Sequence, residues 1–231
     1  MILITSKVPF RSLRTGVSEL LRRALSEMTS TGASSMRAAK NAIRIEMKKK
    51  LQSMSAEDKL RQSAIVLTKF LSHDCYKSSS RISIYISTDA EVSTEPMIRQ
   101  ILQDGKECFI PNYDMKTQQM DMVKLSSMEE LSTLPMTKWN IKQHEHFDPK
   151  EEALITGGLD LLVVPGVAFT PKGGRLGHGK GYYDIYYGRC LKQCPGRRPH
   201  TIGLCFTQQI VPSIPMHEHD LIVDHLLHAE E

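Results

Sequence analysis

The 231-residue chain contains no apolar run long enough to cross a bilayer as a helix. Its longest, 159–169, is broken by Asp160, Pro165 and Gly166, whereas a span needs about 18 apolar residues in a row. A membrane is therefore not expected as a partner. Charge of one sign is also lacking: 30 Lys and Arg face 26 Asp and Glu, for a net +4. Most of that excess, +3, lies in residues 1–36. A nearly balanced body offers no general basic patch to follow a phosphodiester backbone, so no nucleic-acid partner is expected; only the basic segment 37–50 argues the other way. Cysteines are few and odd in number: Cys75, Cys108, Cys190, Cys194 and Cys205. No disulfide framework is implied, and a reducing, cytoplasmic compartment suits them. Cys190 and Cys194 have no second pair at zinc-finger spacing and read as two thiols on one helix face. Aromatic residues make up 6% of the chain, with one tryptophan, and neither repeats nor a clear interdomain linker are present.

Residues 1–35 are rich in Ser, Thr and Arg and poor in acids. Leu13, Val17, Leu20, Leu21 and Leu25 fall there at helical spacing. The pattern is that of a mitochondrial transit segment, with a disordered or variably translated leader as the alternative. A single domain is expected from 36 to 231. Ile43, Met47 and Leu51, four apart among lysines, predict a helix over 36–54. Ser55 with Asp58 predicts a capped second helix whose inner face is Leu60, Ala64, Leu67 and Leu71. Alternation over 81–87 predicts a strand with Ile82, Ile84 and Ile86 on one side. Thr94 and Gly105 bound a further helix, and 108–110 a short strand closed by Pro111.

The run 160–165 is short and β-branched, as in a strand buried on both faces of a parallel sheet. A helix over 182–193 and strands at 201–206 and 221–226 follow, and 140–156 is polar enough to be a long surface loop. Alternating strands and helices imply an α/β fold: a mostly parallel sheet, helices on both faces, and ligands at the carboxyl ends of the strands.

The chemistry is concentrated in 173–184. Glycines at 173, 174, 177, 179 and 181 let backbone N–H groups approach phosphate oxygens, and the next helix adds its positive end. Arg175 and Lys180 contribute full charges. Gly174 to Lys180 has P-loop spacing, but Gly181 stands where a P-loop carries the magnesium-binding hydroxyl. A P-loop NTPase is thereby disfavoured, and Asp184, one turn beyond the lysine, is the candidate oxygen ligand for magnesium. The segment His217-Glu218-His219-Asp220 lacks a third placed ligand and is not expected to hold a transition metal. His144 and His146 receive no role. Without further information the loop also suits a phosphate-binding regulatory module, or an enzyme of sugar phosphates or acyl-CoA.

Arg-Leu-Gly-x-Gly-x-Gly-Tyr-Tyr-Asp at 175–184 resembles the signature of the 5-formyltetrahydrofolate cyclo-ligase family. The similarity runs from about Met36 to Leu226 and is strongest to animal members. It includes Met54-Ser55-Ala56-Glu57, Lys138-Trp139-Asn140 and Thr156-Gly157-Gly158-Leu159-Asp160. The resemblance implies an enzyme that uses ATP and Mg2+ to close 5-formyltetrahydrofolate, or its polyglutamates, into 5,10-methenyltetrahydrofolate, and it is consistent with a monomer. It assigns ATP contacts to Lys40, Arg44, Arg175, Gly177, His178, Gly179, Lys180, Gly181, Tyr182 and Tyr183, with Lys180, Arg175 and Arg44 acting on the transferring phosphoryl group. Folate contacts fall on Arg44, Ile86, Glu91, Tyr113, Trp139, Lys180 and Tyr182, and magnesium on Asp184 and Asp220. Read as residues alone, Lys40 and Arg44 are an i, i+4 pair able to address one anion or to belong to a solvated face, Glu91 is an exposed loop acid, and Trp139 a core anchor. His178 departs from the relatives, which often carry Arg or Tyr there.

Overall fold

The computed structural model describes residues 14–114, 117, 119–137 and 141–230, with side chains from residue 34 onward. The chain falls into two units, divided between Ala42 and Ile43. The dividing point lies within helix α1 (Arg14–Ser53). Through Ala42 the first unit is described only as helix. The second unit contains the rest: α2 (Ala56–Ser72), α3 (Asp74–Ser78), β1 (Arg81–Ser83), α4 (Glu95–Gln103), β2 (Glu107–Asp114), β3 (Gln119–Leu125), α5 (Met128–Thr133), β4 (Leu161–Val164), β5 (Ala168–Phe169), β6 (Arg175–Leu176), α6 (Tyr182–Gln193), β7 (His200–Leu204) and β8 (His225–Leu227).

Six strands form one sheet in the order β3-β2-β1-β4-β7-β8, and β5 with β6 forms a separate hairpin. Within the sheet β3 pairs antiparallel with β2, and the other neighbours are parallel. In β4 every residue is buried, and period-two geometry sends Leu161 and Val163 into one apolar cluster and Leu162 and Val164 into the other. The first cluster receives Met47 and Leu51 of α1, Val66 and Phe70 of α2, and Ile98 and Ile101 of α4. The second receives Tyr183, Tyr186 and Cys190 of α6. Helices thus cover both faces, as the alternation of strands and helices implies.

Several local expectations are corrected. Ser55 does cap α2, accepting from the Asp58 N–H, and Leu67 and Leu71 pack partly buried against the core as expected, but the fully buried positions are Gln62, Ser63, Val66 and Phe70, while Ala64 is exposed and Leu60 is 70% exposed. Polar residues occupy such positions because their hydrogen bonds are met there. Gln62 accepts from Thr207 N and donates to Asp58 and Gln208, and Ser63 accepts from Ser93 N. The strand expected over 81–87 pairs only through Ser83, and Ser83 and Tyr85 are as buried as Ile82 and Ile84, because both faces are covered. Pro111 does not close β2, which continues to Asp114 against β3; it lies beyond Phe109, the last residue paired to β1. The strand expected at 221–226 forms instead at His225–Leu227. Thr94 gives α4 no side-chain cap: its hydroxyl donates to Tyr85 O and accepts from Ser87 N.

The polar segment 141–156 is more than a surface loop, since Glu152, Ala153 and Leu154 are buried in it. Glu152 accepts from Leu154 N, Ile155 N and the Tyr186 hydroxyl. Burial nevertheless raises its carboxyl pKa above the ordinary value, assisted by Asp121 and opposed by those backbone hydrogen bonds and Arg189. A carboxyl group raised on folding stabilises the protein at low pH and loses that contribution as pH climbs past its unfolded value. The Glu152→Gln variant, uncharged throughout, should gain stability relative to wild type between about pH 4 and pH 7, the direction the raised pKa requires. Urea midpoints of both proteins across that range check this; curves that stay parallel would show that the charged form carries no folding cost.

Candidate active site

Strand order reverses its direction of growth at β1. From there β2 lies on one side and β4 on the other. Such a switch point opens a crevice outside the carboxyl ends of the strands. The corresponding position is occupied here by a cleft of about 410 Å³, lined by Tyr85 and Ile86 after β1, Tyr113 at the end of β2, and Pro165 after β4. Glu91, Arg175, Gly177, His178, Lys180, Tyr182 and Tyr183 complete most of the wall. Tyr113 and Tyr182 meet edge to face with centroids 5.1 Å apart.

A second cavity of about 580 Å³ adjoins it, with Arg44, Lys48 and Lys59 in its lining together with Asp89. The two cavities share Thr88, Glu91 and His178. Glu91 is held in place locally, where it accepts from both the N–H and the hydroxyl of Thr88 at 2.9 Å.

The glycines divide into two groups. Gly173 and Gly174 build the turn of the β5–β6 hairpin rather than a phosphate cradle: Gly173 N donates to Thr170 O, Gly174 N to Thr170 Oγ1, and Gly173 O accepts from Val223 N. Their polar groups are spent on that turn. Gly177, Gly179 and Gly181 lie beyond β6 in the loop proper, and His178, Gly179 and Lys180 are exposed. Gly181, at φ 72°, is the N-cap of α6. Arg44 braces this loop by donating from Nε to Gly177 O at 2.8 Å, and a Cβ on Gly179 would lie 3.4 Å from its guanidinium. Burial lowers the Arg44 pKa from its ordinary value, while the Asp220 carboxylate acts in the opposite sense.

Arg175 is not a bare cation facing solvent. Its side chain is 4% exposed and pairs through Nη2 with Asp184 Oδ1 at 2.9 Å, while Nη1 donates to Pro165 O. Its Nε is buried with no hydrogen-bond partner among the described residues, and the guanidinium lies 5.7 Å from the Tyr183 ring centre. Asp184 Oδ1 also accepts from Leu221 N. Asp220 accepts from His217 N through Oδ2. One oxygen of Asp184 therefore takes both of these contacts, from Arg175 and Leu221.

Of the residues the sequence singles out, Ile86, Glu91, Tyr113, Arg175, Gly177, His178, Lys180, Tyr182 and Tyr183 line the 410 Å³ cleft, and Arg44 the adjoining cavity. Gly179 and Gly181 are in the loop, with Asp184 and Asp220 tied to it through Arg175 and Arg44. Lys40 belongs to the first unit, and Trp139 lies outside the described residues. Sequence reasoning overlooks Thr88, Lys48, Lys59 and Gln209. Lys48 resembles its solvated neighbours in sequence, and Gln209, donating to Gly166 O and Val167 O, has no local signal at all.

A mostly parallel α/β sheet with a glycine loop and clustered cations at its switch point defines a class of anion-handling α/β proteins. Residues 36–229 match the profile of the 5-formyltetrahydrofolate cyclo-ligase family. The chain is 48% identical over 198 residues to the mouse 5-formyltetrahydrofolate cyclo-ligase, covering 86% of this chain and 97% of that one. It is 30% identical over 205 residues to an Arabidopsis thaliana protein named 5-formyltetrahydrofolate cyclo-ligase, mitochondrial, covering 81% and 73%. Among solved structures, that of an Aquifex aeolicus 5,10-methenyltetrahydrofolate synthetase superposes with a TM-score of 0.63 at 26% identity, covering 82% and 89%. The chain belongs to the 5-formyltetrahydrofolate cyclo-ligase family and is an enzyme.

The hairpin at the root of the loop yields a direct test. Gly173 has φ 82°, and a Cβ there would sit 2.3 Å from Val223 O; Gly105 has φ 69° with nothing within 4 Å. Gly105→Ala should cost about 1–2 kcal/mol, the left-handed penalty alone. Gly173→Ala adds a backbone clash and should cost more by about 1 kcal/mol or more. Chemical denaturation of both variants measures the gap; equal losses would show that the turn adjusts freely.

Proposed function

We propose that this chain catalyses the ATP- and magnesium-dependent cyclisation of 5-formyltetrahydrofolate to 5,10-methenyltetrahydrofolate, releasing ADP and phosphate. The observation that carries the reading is the pair of adjoining cavities, one lined by tyrosines with Arg175 and Lys180 and one by Arg44, Lys48 and Lys59, which share Thr88, Glu91 and His178. Two substrates that exchange a phosphoryl group need such adjacency. The aromatic cleft suits a pterin: Tyr113, Tyr182 and Ile86 supply packing surface, and the Glu91 carboxylate matches paired N–H donors on the ring. The second cavity suits the phosphates of ATP.

The formyl group is an amide, so direct attack of N10 on its carbon would have to expel oxide. Transfer of the γ-phosphoryl group to the formyl oxygen makes that oxygen a leaving group; N10 then bonds to the formyl carbon and loses its proton to solvent, and the carbon–oxygen bond breaks as phosphate departs. The protein's task in this scheme is in-line positioning and charge neutralisation, and no nucleophilic side chain is required. Lys180, on the exposed loop, addresses the moving phosphoryl group. Arg44 holds the loop at Gly177 while keeping its remaining guanidinium donors for phosphate. Arg175, held by Asp184 and Pro165, presents its charge from the wall.

Asp184 and Asp220 fit a magnesium ion, since hard cations prefer carboxylate oxygens together with phosphate and water. When bound, that ion neutralises negative charge on the ATP phosphates. We assign residues 1–35 to a mitochondrial leader, a role suggested by their composition and by the name of the Arabidopsis relative, with a cytoplasmic form where it is not used. The enzyme acts as a monomer on folate and its polyglutamates.

Purified protein mixed with ATP, magnesium and 5-formyltetrahydrofolate should develop the near-ultraviolet absorbance of the methenyl product, and omission of ATP should abolish it. Lys180→Ala should lower kcat/KM by ~10² or more, the usual cost of losing a charge that meets the transition state. No absorbance change in the wild-type protein would overturn the assignment; undiminished turnover in the variant would remove Lys180 from the phosphoryl step.

A second measurement addresses the metal. Asp184→Asn should raise the magnesium concentration for half-maximal activity by a larger factor than it raises the KM for folate. Superimposable magnesium titrations of variant and wild type would move the ion to other ligands.

A further inference from the structure

The catalytic cavities gather at the carboxyl ends of the strands, whereas a second cluster of ligand-type side chains lies at the opposite edge. His200 is the first residue of β7 and His225 the first of β8. These strands are parallel neighbours, with Ile202 opposite His225. His200, two residues before Ile202, therefore shares a sheet face with His225. Cys75, in α3, packs beneath them. Its Sγ and one ring nitrogen of each histidine all lie within 4.8 Å of one another.

Three features separate this cluster from a chance gathering of polar residues. First, the donor set is one thiol and two imidazoles, the types that bind zinc, whereas carboxylates and carbonyls favour magnesium or calcium. Second, the side chains of His200 and His225 hydrogen-bond to nothing among the described residues, so no existing hydrogen bond holds their ring nitrogens. Third, the surroundings favour a dication. Asp74 and Asp224 lie near enough for their negative charges to act on the Cys75 sulfur. A divalent ion lying against the sulfur is attracted by both carboxylates.

His73 is adjacent, its ring 4.6 Å from that of His225 and edge-on to it. It is committed elsewhere: its Nδ1 accepts from Cys75 N and caps α3. A neutral ring accepting at Nδ1 carries its proton on Nε2 and has no lone pair for a metal. Its role is then to orient Cys75 and pack against His225.

We propose that Cys75, His200 and His225 form a zinc site, with water as the fourth ligand, that ties α3 to the β7–β8 edge of the sheet. Binding replaces the thiol proton, which leaves to solvent, with a zinc–sulfur bond. No oxidant or reductant is involved. Tetrahedral zinc sets its ligand atoms about 3.5 Å apart, given bond lengths of 2.0–2.3 Å. The observed separations close to that value by rotation of side chains, of which His200 is exposed. Sequence reading sees nothing here, because the ligands are 125 and 25 residues apart and none shares a motif with another; the more conspicuous His217-Glu218-His219-Asp220 instead has His219 and Glu218 paired in solvent.

The test uses the full-length chain, stripped with a chelator and kept in excess magnesium to saturate carboxylate sites. One equivalent of Co2+ should produce a thiolate-to-cobalt charge-transfer band and tetrahedral d–d bands, and Zn2+ should bleach both. Zn2+ should also raise the thermal midpoint, because an ion that binds only the folded state stabilises it. His200→Ala, at an exposed position, should weaken binding about 10-fold or more. Cys75→Ser should abolish the charge-transfer band, and Cys194→Ser, which changes the half-buried thiol elsewhere, should preserve it. Absence of the band in the wild-type protein, wild-type affinity in His200→Ala, or loss of the band with Cys194→Ser would each overturn the proposal. His200→Ala is decisive even if Cys75→Ser does not fold.

Discussion

The ion pair between Arg175 and Asp184 joins more of this protein than any other polar contact in the site. Arg175 belongs to β6 of the hairpin and Asp184 to the first turn of α6, and their 2.9 Å contact closes the loop between them into a fixed span. The same two side chains reach outward, Arg175 to the carbonyl of Pro165 at the end of the central strand and Asp184 to the N–H of Leu221. Four segments thus converge on one charge pair at the carboxyl edge of the sheet. A guanidinium that is 4% exposed needs that partner, since removal of either member leaves an uncompensated buried charge at a typical cost of 3–5 kcal/mol. The glycines of the loop can approach a ligand because the ends of the loop cannot drift.

Arg44 supplies the second constraint. It comes from α1, far away in sequence, and contacts the loop at Gly177 while sensing Asp220. Two arginine–aspartate combinations therefore flank the loop, one by direct contact and one by charge. A cluster of cations in one site benefits from this arrangement. The carboxylates limit the mutual repulsion of Arg44 and Arg175.

Burial of polar side chains follows one rule throughout. Gln62, Ser63 and Glu152 lie inside because each finds its hydrogen-bond partners there, and they occupy places that a hydrophobic pattern would assign to leucine. The buried face of α2 is accordingly shifted, with Leu67 and Leu71 at its border and Leu60 facing solvent. The partners that make such burial possible, Thr207 for Gln62 and Tyr186 for Glu152, come from distant elements. Periodicity in α2 alone has no means of reporting them.

What the sequence determined by itself is local or compositional. The Ser55 cap, the fully buried β4, the bounds of α6, the α/β class and the glycine loop with its two cations are readable because each depends on neighbours within a few residues. The motif at 175–184 further marks the family, and its resemblance points to residues such as Ile86, Glu91 and Tyr113 that line the cleft. Tertiary structure decided the rest. It spent Gly173 and Gly174 on a hairpin turn, gave Arg175 to Asp184, extended β2 through Pro111 by pairing it with β3, and placed Lys48, Lys59 and Gln209 beside Arg44. It also brought Cys75 to His200 and His225. Each of these depends on strand order and on the crossover that brings separate segments together at a sheet edge, and hydrogen bonds and charge pairs between such segments leave no period or spacing in the chain.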